Sequence, residues 1–74
     1  MTAKEMFKAL GYECDKTAFQ IFYYYEIRTY GDDTDYIGIL FNLDDKDFWS
    51  DVNINVDELK AINKQCEELG WLGE

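Results

Sequence analysis

The sequence predicts an α+β fold in the order α-β-β-β-α, with a three-stranded antiparallel meander sheet packed by two helices. Apolar residues recur at helical spacing near both ends of the chain, and the region between them is dense in Phe, Tyr and Ile, which favour strands. The turns between the central runs are short, and short turns join antiparallel neighbours. With 74 residues, the chain fits a single domain over 1–74.

The first helix is predicted over 2–10. Thr2 and Glu5 have the spacing of a capping box, and apolar residues follow at helical spacing. Gly11 lacks a Cβ and therefore suits the left-handed conformation at which many helices stop. Since an isolated helix of about two turns is unstable, packing against the rest of the domain must hold it.

Three strands are predicted in the centre of the chain, over 19–30, 36–43 and 48–54. The first is rich in aromatic residues, and the second alternates apolar and polar residues. Turns rich in Asp separate the strands over 31–35 and 44–47.

The second helix is predicted from a cap at Asn55 to a stop at Gly70. Asn55 and Glu58 again have the spacing of a capping arrangement. Its apolar stripe consists of Leu59, Ile62, Cys66 and Leu69. Beyond this helix, Trp71 and Leu72 are expected to fold back over the sheet edge.

The two faces of the sheet can be assigned because side chains alternate along a strand. The face expected to receive the helices contains Ile21, Tyr23, Tyr25, Ile27, Ile37, Ile39, Phe41, Leu43, Phe48, Val52 and Ile54. The opposite face contains Phe22, Tyr24, Glu26, Arg28, Tyr30, Tyr36, Leu40, Trp49 and Asp51. A bulge in the long first strand would swap the faces beyond it.

The second face is unusually aromatic for a surface open to water, and two interpretations remain. In the first, one helix packs on each face, or the tyrosines only protect the sheet. In the second, the rings form a patch bordered by acids that meets a partner or a second copy, since exposed apolar patches often mark interfaces and Tyr and Trp are common anchors.

The residue types present argue against catalysis. The chain has no His, which removes the usual general base and the usual metal ligand. No phosphate-binding loop occurs, and the acidic turns do not match a calcium loop. We therefore expect no enzyme activity, no cofactor and no metal.

The cysteine content and the hydropathy favour a cytoplasmic protein. Two cysteines, Cys14 and Cys66, are fewer than a small disulfide-stapled secreted domain usually carries, although the sequence leaves a disulfide between them open. No secretion signal and no apolar run of about 20 residues is recognised, so membrane attachment is not expected.

The charge favours a basic protein partner. The formal net charge is −9, from 16 acids and 7 bases, which disfavours direct contact with nucleic acid or anionic membrane and attracts a basic surface. If the acidic turns lay on one side, they could imitate a nucleic-acid backbone; the alternative is charge kept for solubility. The candidate partner-binding residues are Asp32, Asp33, Asp35, Asp44, Asp45, Asp47, Asp51, Tyr24, Tyr36 and Trp49.

Two stretches at the ends of the chain carry a resemblance to known proteins. They are Met1-Thr2-Ala3-Lys4-Glu5-Met6-Phe7 with Leu10-Gly11-Tyr12-Glu13, and Glu58-Leu59-Lys60-Ala61-Ile62-Asn63-Lys64-Gln65 with Glu68-Leu69-Gly70-Trp71. They resemble a group of small proteins from phages and prophages of Gram-positive bacteria. The resemblance implies an accessory protein expressed in the host cytoplasm and carries over no catalytic residue.

Two main functional hypotheses follow, beside a third, a small enzyme or ion-binding protein, which the residue types disfavour. The first is a phage accessory protein that binds a protein with a basic surface, as an acidic DNA mimic inhibiting a host-defence or DNA-handling enzyme; anti-CRISPR proteins offer an analogy of size and charge. The second is a self-associating structural module, with no inhibitory role, whose aromatic faces pair as a homodimer.

Overall fold

The structure, a computed structural model, describes residues 1–73, which form two helices and one four-stranded antiparallel sheet. The helices are α1 (Ala3–Ala9) and α2 (Val56–Glu68). The strands are β1 (Glu13–Lys16), β2 (Gln20–Tyr30), β3 (Asp33–Asn42) and β4 (Asp47–Ser50). They lie side by side in chain order, so the predicted α+β meander is confirmed, with one strand more than expected.

The additional strand is β1, which the sequence does not predict. Its residues Glu-Cys-Asp-Lys lack the β-branched and aromatic side chains that favour strands. It forms because its backbone pairs with β2, from Glu13 opposite Tyr24 to Lys16 opposite Ile21. The connecting turn is closed by Thr17, whose hydroxyl accepts hydrogen bonds from the backbone N–H groups of Phe19 and Gln20 at 3.2 and 3.1 Å.

The later strands have different limits from those predicted. β3 begins at Asp33, so the turn after β2 shrinks to Gly31 and Asp32. Gly31 has a φ of 56°, and a positive φ at the first central position is what a two-residue hairpin turn requires. β4 ends at Ser50 instead of residue 54, where the Ser50 hydroxyl accepts the N–H of Val52 at 3.1 Å and the chain leaves the sheet.

A bulge interrupts β2 at Ile27. Glu26 pairs with Tyr36 but Arg28 pairs with Asp35, so one residue of β2 has no partner on β3. Side-chain alternation is therefore shifted beyond this point. Arg28 and Tyr30 consequently lie on the helix side of the sheet, which corrects their assignment to the aromatic face.

Both helix starts form the predicted capping boxes. The Thr2 hydroxyl accepts the Glu5 N–H at 3.2 Å, and the Glu5 carboxylate accepts the Thr2 N–H at 2.8 Å. Asn55 and Glu58 make the same reciprocal pair at 2.8 and 3.0 Å. The hydrogen bonds that Glu5 accepts at Thr2 lower the pKa of its carboxyl group.

Both helices cover the same face of the sheet, so the alternative with one helix on each face is wrong. Phe7 of α1 stacks on Tyr23 of β2 with ring centroids 3.9 Å apart. The Tyr23 hydroxyl in turn donates a hydrogen bond to Gln65 of α2 at 2.5 Å. The buried core consists of Phe7, Tyr12, Ile21, Tyr23, Ile39, Phe41, Ala61, Ile62 and Cys66.

The buried stripe of α2 is rotated from the predicted one. Leu59 is 56% exposed, whereas Ala61 and Gln65 are buried beside Ile62. Beyond the helix, Trp71 folds back onto the sheet as expected, but it packs against Phe41 of the inner strand β3, with ring centroids 6.2 Å apart, and not over the sheet edge. Leu72 is exposed, so its predicted contact with the sheet is wrong.

The hairpin of β2 and β3 projects beyond the two short edge strands. β1 reaches only Tyr24 on one side, and β4 reaches only Ile39 on the other. Residues 25–37 therefore form a two-stranded arm, and the molecule is elongated, with extents of 48 × 25 × 19 Å.

Candidate functional site

The sheet face opposite the helices, termed the open face, is built of rows that cross the strands. The central row runs over all four strands and contains Asp15, Phe22, Leu40 and Trp49. The rows on either side contain Glu13, Tyr24 and Gly38, and Gln20, Asn42 and Asp47. Glu26 and Tyr36 continue the face onto the arm. β-Sheet pairing thus brings residues from four segments of the chain onto one surface.

Four rings lie on the open face: Phe22, Tyr24 and Tyr36 form a contacting aromatic strip, and Trp49 is separated from Phe22 by Leu40. Tyr24 stacks on Phe22 and meets Tyr36 edge-on, with ring centroids 5.2 Å apart in both pairs. Trp49 is 57% exposed and Tyr36 50% exposed. Such exposure leaves the outer rings available to a binding partner.

The open face also carries an unbalanced negative charge. Four carboxylates lie on this face, those of Glu13, Asp15, Glu26 and Asp47. In the part of the chain that the structure describes, no Lys or Arg lies on it. Loss of solvation raises the pKa of Tyr24, and the carboxylates of Glu13 and Asp15 raise it further. The aromatic strip therefore lies in a negative electrostatic field.

The helix side of the molecule is nearly balanced in charge. Its acids are Glu5, Asp33, Asp35, Asp57, Glu58, Glu67 and Glu68, and its bases are Lys4, Lys8, Lys16, Arg28, Lys60 and Lys64. Most of the net charge consequently belongs to the open face and the turns.

The structure brings together some of the residues that the sequence nominates. Tyr24, Tyr36 and Trp49 share the open face with Asp47. Asp32 lies at the tip of the arm. Asp33 and Asp35 are in β3 on the helix side, where Asp35 pairs with Arg28 at 3.0 Å.

The two acidic turns do not form one continuous strip. Successive turns of an antiparallel meander lie at opposite ends of the sheet. The turn with Asp32 is therefore at the far end from the turn with Asp44 and Asp45. The acidic turns place negative charge at the two ends of the sheet, with the open-face carboxylates between them.

Asp51, also a nominated contact, is exposed, but its carboxylate is hydrogen-bonded to the backbone of β3. Its carboxylate accepts the backbone N–H of Gly38 at 2.7 Å, and its own N–H donates to the Gly38 carbonyl at 3.2 Å. Conversely, Glu13 and Asp15 belong to the open face although the sequence does not nominate them. The period-two spacing of these acids around Cys14 is the signal that could have found β1 and its exposed face.

On the face that the helices cover, the polar groups stabilise the fold. Tyr12 donates a hydrogen bond to Glu58, and burial raises the pKa of both Tyr12 and Tyr23. Cys14 and Cys66 are free thiols, and burial raises the pKa of Cys66. Within 1–73, no cluster of three or more His, Cys, Asp or Glu residues is arranged to hold a metal ion.

Among the described residues, no helix has the length and apolar character to cross a membrane. No protein-family model matches the chain, and neither curated proteins nor solved structures provide a match.

Proposed function

We propose that the protein is a binding module whose open face engages a positively charged surface of another protein. The supporting observation is that the sheet face left uncovered by the helices combines four rings and four carboxylates and carries no base among residues 1–73. Negative charge accelerates encounter with a basic surface, and exposed Tyr and Trp side chains are effective anchors.

The partner we favour is a nucleic-acid-handling enzyme. A groove that binds a duplex is lined by Lys and Arg, whose mutual repulsion is relieved when an anion fills it. The molecule is 48 Å long, with acidic turns at both ends of the sheet and the open-face carboxylates between them. In the proposed complex, these carboxylates lie along such a groove. In this proposal the protein is a phage or prophage accessory protein that acts in the host cytoplasm, imitates nucleic acid and inhibits a DNA-handling or host-defence enzyme.

The charge pattern disfavours the alternative of a homodimer formed face to face. A two-fold interface places the same patch of both copies in contact. Glu13, Asp15 and Glu26 of one copy would then approach the same carboxylates of the other with no base on that face to neutralise them. Sedimentation at high micromolar concentration tests this, and a dimer that dissociates when Trp49 is replaced would restore the alternative.

A capture experiment with two variants of equal charge tests the proposed function. The open-face variant combines Glu13→Gln with Asp15→Asn, and the control combines Asp57→Asn with Glu67→Gln on α2. Immobilised wild-type protein and the control should retain the same nucleic-acid-binding proteins from a bacterial lysate, and duplex DNA should release them. The open-face variant should retain far less.

Two results would count against the proposal. Equal capture by both variants would show that the open face is not the binding surface. Captured proteins that duplex DNA does not displace would contradict competition with nucleic acid, while leaving protein binding by the open face intact.

A further inference from the structure

A shallow cavity, termed the Trp49 well, lies over the central row of the open face. Its volume is about 310 Å³, and its lining residues are Asp15, Thr17, Gln20, Phe22, Leu40 and Trp49. Leu40 lies between Phe22 and Trp49 in the row, so the well has an aliphatic floor between two rings. Asp15, on the far side of Phe22, contributes the carboxylate at its edge.

We propose that the Trp49 well receives an arginine side chain of the partner. This inference rests on the proposed function, because it specifies which basic group the open face recognises. A guanidinium stacks on aromatic rings, most favourably on Trp, and it forms planar paired hydrogen bonds with a carboxylate. In the well, Phe22 and Trp49 offer the rings, and Asp15 offers the carboxylate beside Phe22.

Acceptors for the guanidinium are available at the edge of the well. Asp15 makes no ion pair with any residue in 1–73, where the ion pairs are Arg28 with Asp35 and Lys64 with Glu67. The Gln20 side chain donates an amide N–H to Asn42 at 3.5 Å, a bond that does not use its amide oxygen. An incoming group with several N–H donors therefore finds two acceptors.

Other occupants fit the well less completely. An apolar or aromatic side chain would cover the rings but leave the acceptors of Asp15 and Gln20 without donors. A lysine ammonium would pair with Asp15, but it is compact and strongly hydrated, so it loses the planar stacking on Trp49. An anion is repelled by Asp15 and by the neighbouring Glu13.

The adjacent row extends the recognition to a second basic side chain. The row that contains Glu13 and Tyr24 lies two residues along the strands from the central row, so the two rows are about 7 Å apart. In an extended partner segment, side chains two residues apart have the same spacing. A segment with arginines at alternate positions therefore matches the two rows.

Three peptides that differ only at two positions test the well. They are the acetylated and amidated forms of Gly-Arg-Gly-Arg-Gly, its lysine analogue and its citrulline analogue, which is neutral but retains the planar shape. Binding is followed by amide chemical shifts and by the indole N–H signal of Trp49. We expect the arginine peptide to bind about five-fold more tightly than the lysine peptide, and the citrulline peptide to give no saturable shift.

Variants of the protein locate the site. Trp49→Ala and Asp15→Asn should each weaken the arginine peptide several-fold, Trp49→Phe should retain part of the affinity, and Asp57→Asn on α2 should leave it unchanged. The dispersed amide spectrum of each variant confirms that it is folded.

The outcomes separate this inference from the proposed function. Equal binding of arginine and lysine peptides, with no effect of Trp49→Ala, would overturn the arginine well while leaving a basic partner for the open face. Binding of the citrulline peptide, shifts that map away from Phe22 and Trp49, or no binding of the arginine peptide would also overturn the well. The capture experiment judges the proposed function independently.

Discussion

The Asp51 carboxylate accepts a hydrogen bond from the backbone N–H of Gly38 at 2.7 Å, at the point where β4 stops pairing with β3. The side chain thereby takes the place of the backbone carbonyl that a longer β4 would have supplied. Asp51 consequently caps the end of β4, and one oxygen of its carboxylate already serves the fold. Charge substitutions intended to test binding should therefore leave Asp51 intact.

Replacing Asp51 should destabilise the protein. Asp51→Ala leaves the Gly38 N–H without its partner, and an unsatisfied partly buried donor costs about 1–3 kcal/mol. The free energy of unfolding, measured by urea denaturation, should fall by that amount. Asp44→Ala in the exposed β3–β4 turn is the control and should change stability by less than about 0.5 kcal/mol. Equal stability of the two variants would contradict a structural role for Asp51.

Gly38 should not tolerate a side chain. A Cβ at this position would lie 1.9 Å from the Tyr23 carbonyl oxygen and 2.7 Å from the Tyr24 Cα, and both atoms belong to the backbone of β2. The central strands would have to separate, so Gly38→Ala should cost at least about 3 kcal/mol, at or above the usual limit for overpacking. The Gly73→Ala control, with open space around it, should unfold at the wild-type urea concentration. A near-neutral Gly38→Ala would contradict the close approach of the strands.

Stability should decrease above pH 10. Burial raises the pKa of Tyr12 and Tyr23 above their ordinary value of 10.0, and both side chains are less than 5% exposed. The folded state therefore holds these protons more tightly than the unfolded state. The resulting stabilisation is fully present below pH 10 and is lost progressively as the pH rises through the folded-state pKa values.

Thermal unfolding followed by circular dichroism between pH 8 and about pH 11.5 tests this dependence. Tyr12→Phe and Tyr23→Phe should each show a shallower fall in Tm than the wild type, because one buried phenol no longer titrates. Tyr30→Phe, which changes an exposed ring on the arm, serves as the control for losing a phenol. A wild-type Tm that stays level over this range would refute the assignment.

The two leucine-sized residues of α2 should differ sharply in their effect on stability. Ile62 is 3% exposed within the core, whereas Leu59 is 56% exposed. Ile62→Ala should cost about 2–4 kcal/mol through lost contacts and the cavity left behind. Leu59→Ala should change the unfolding free energy by less than about 0.5 kcal/mol, and a large loss there would indicate that the buried stripe is placed wrongly.

Local sequence signals were sufficient for the helices and for most of the sheet. The reciprocal hydrogen bonds of Thr2 with Glu5, and of Asn55 with Glu58, involve residues three apart, so the residue types determine them directly. The alternation of Tyr23 and Tyr24 likewise placed one ring in the core and the other on the open face.

Features that depend on distant partners required the tertiary structure. β1 exists because β2 offers it an edge, since its four residues lack the side chains that favour strands and only the alternation of Glu13 and Asp15 around Cys14 marks it. Ile27 and Leu59 are ordinary apolar residues in sequence, but a bulge and a rotated helix leave both exposed.

The sequence by itself predicted an acidic α+β domain with capped helices and an aromatic sheet, and it contains no histidine. Only the tertiary structure decided that both helices cover one face, that Asp15 and Trp49 line the same well, and that the acidic turns lie at opposite ends. The physical reason is that composition and periodicity act within a few residues, whereas strand pairing and packing join residues that are far apart along the chain.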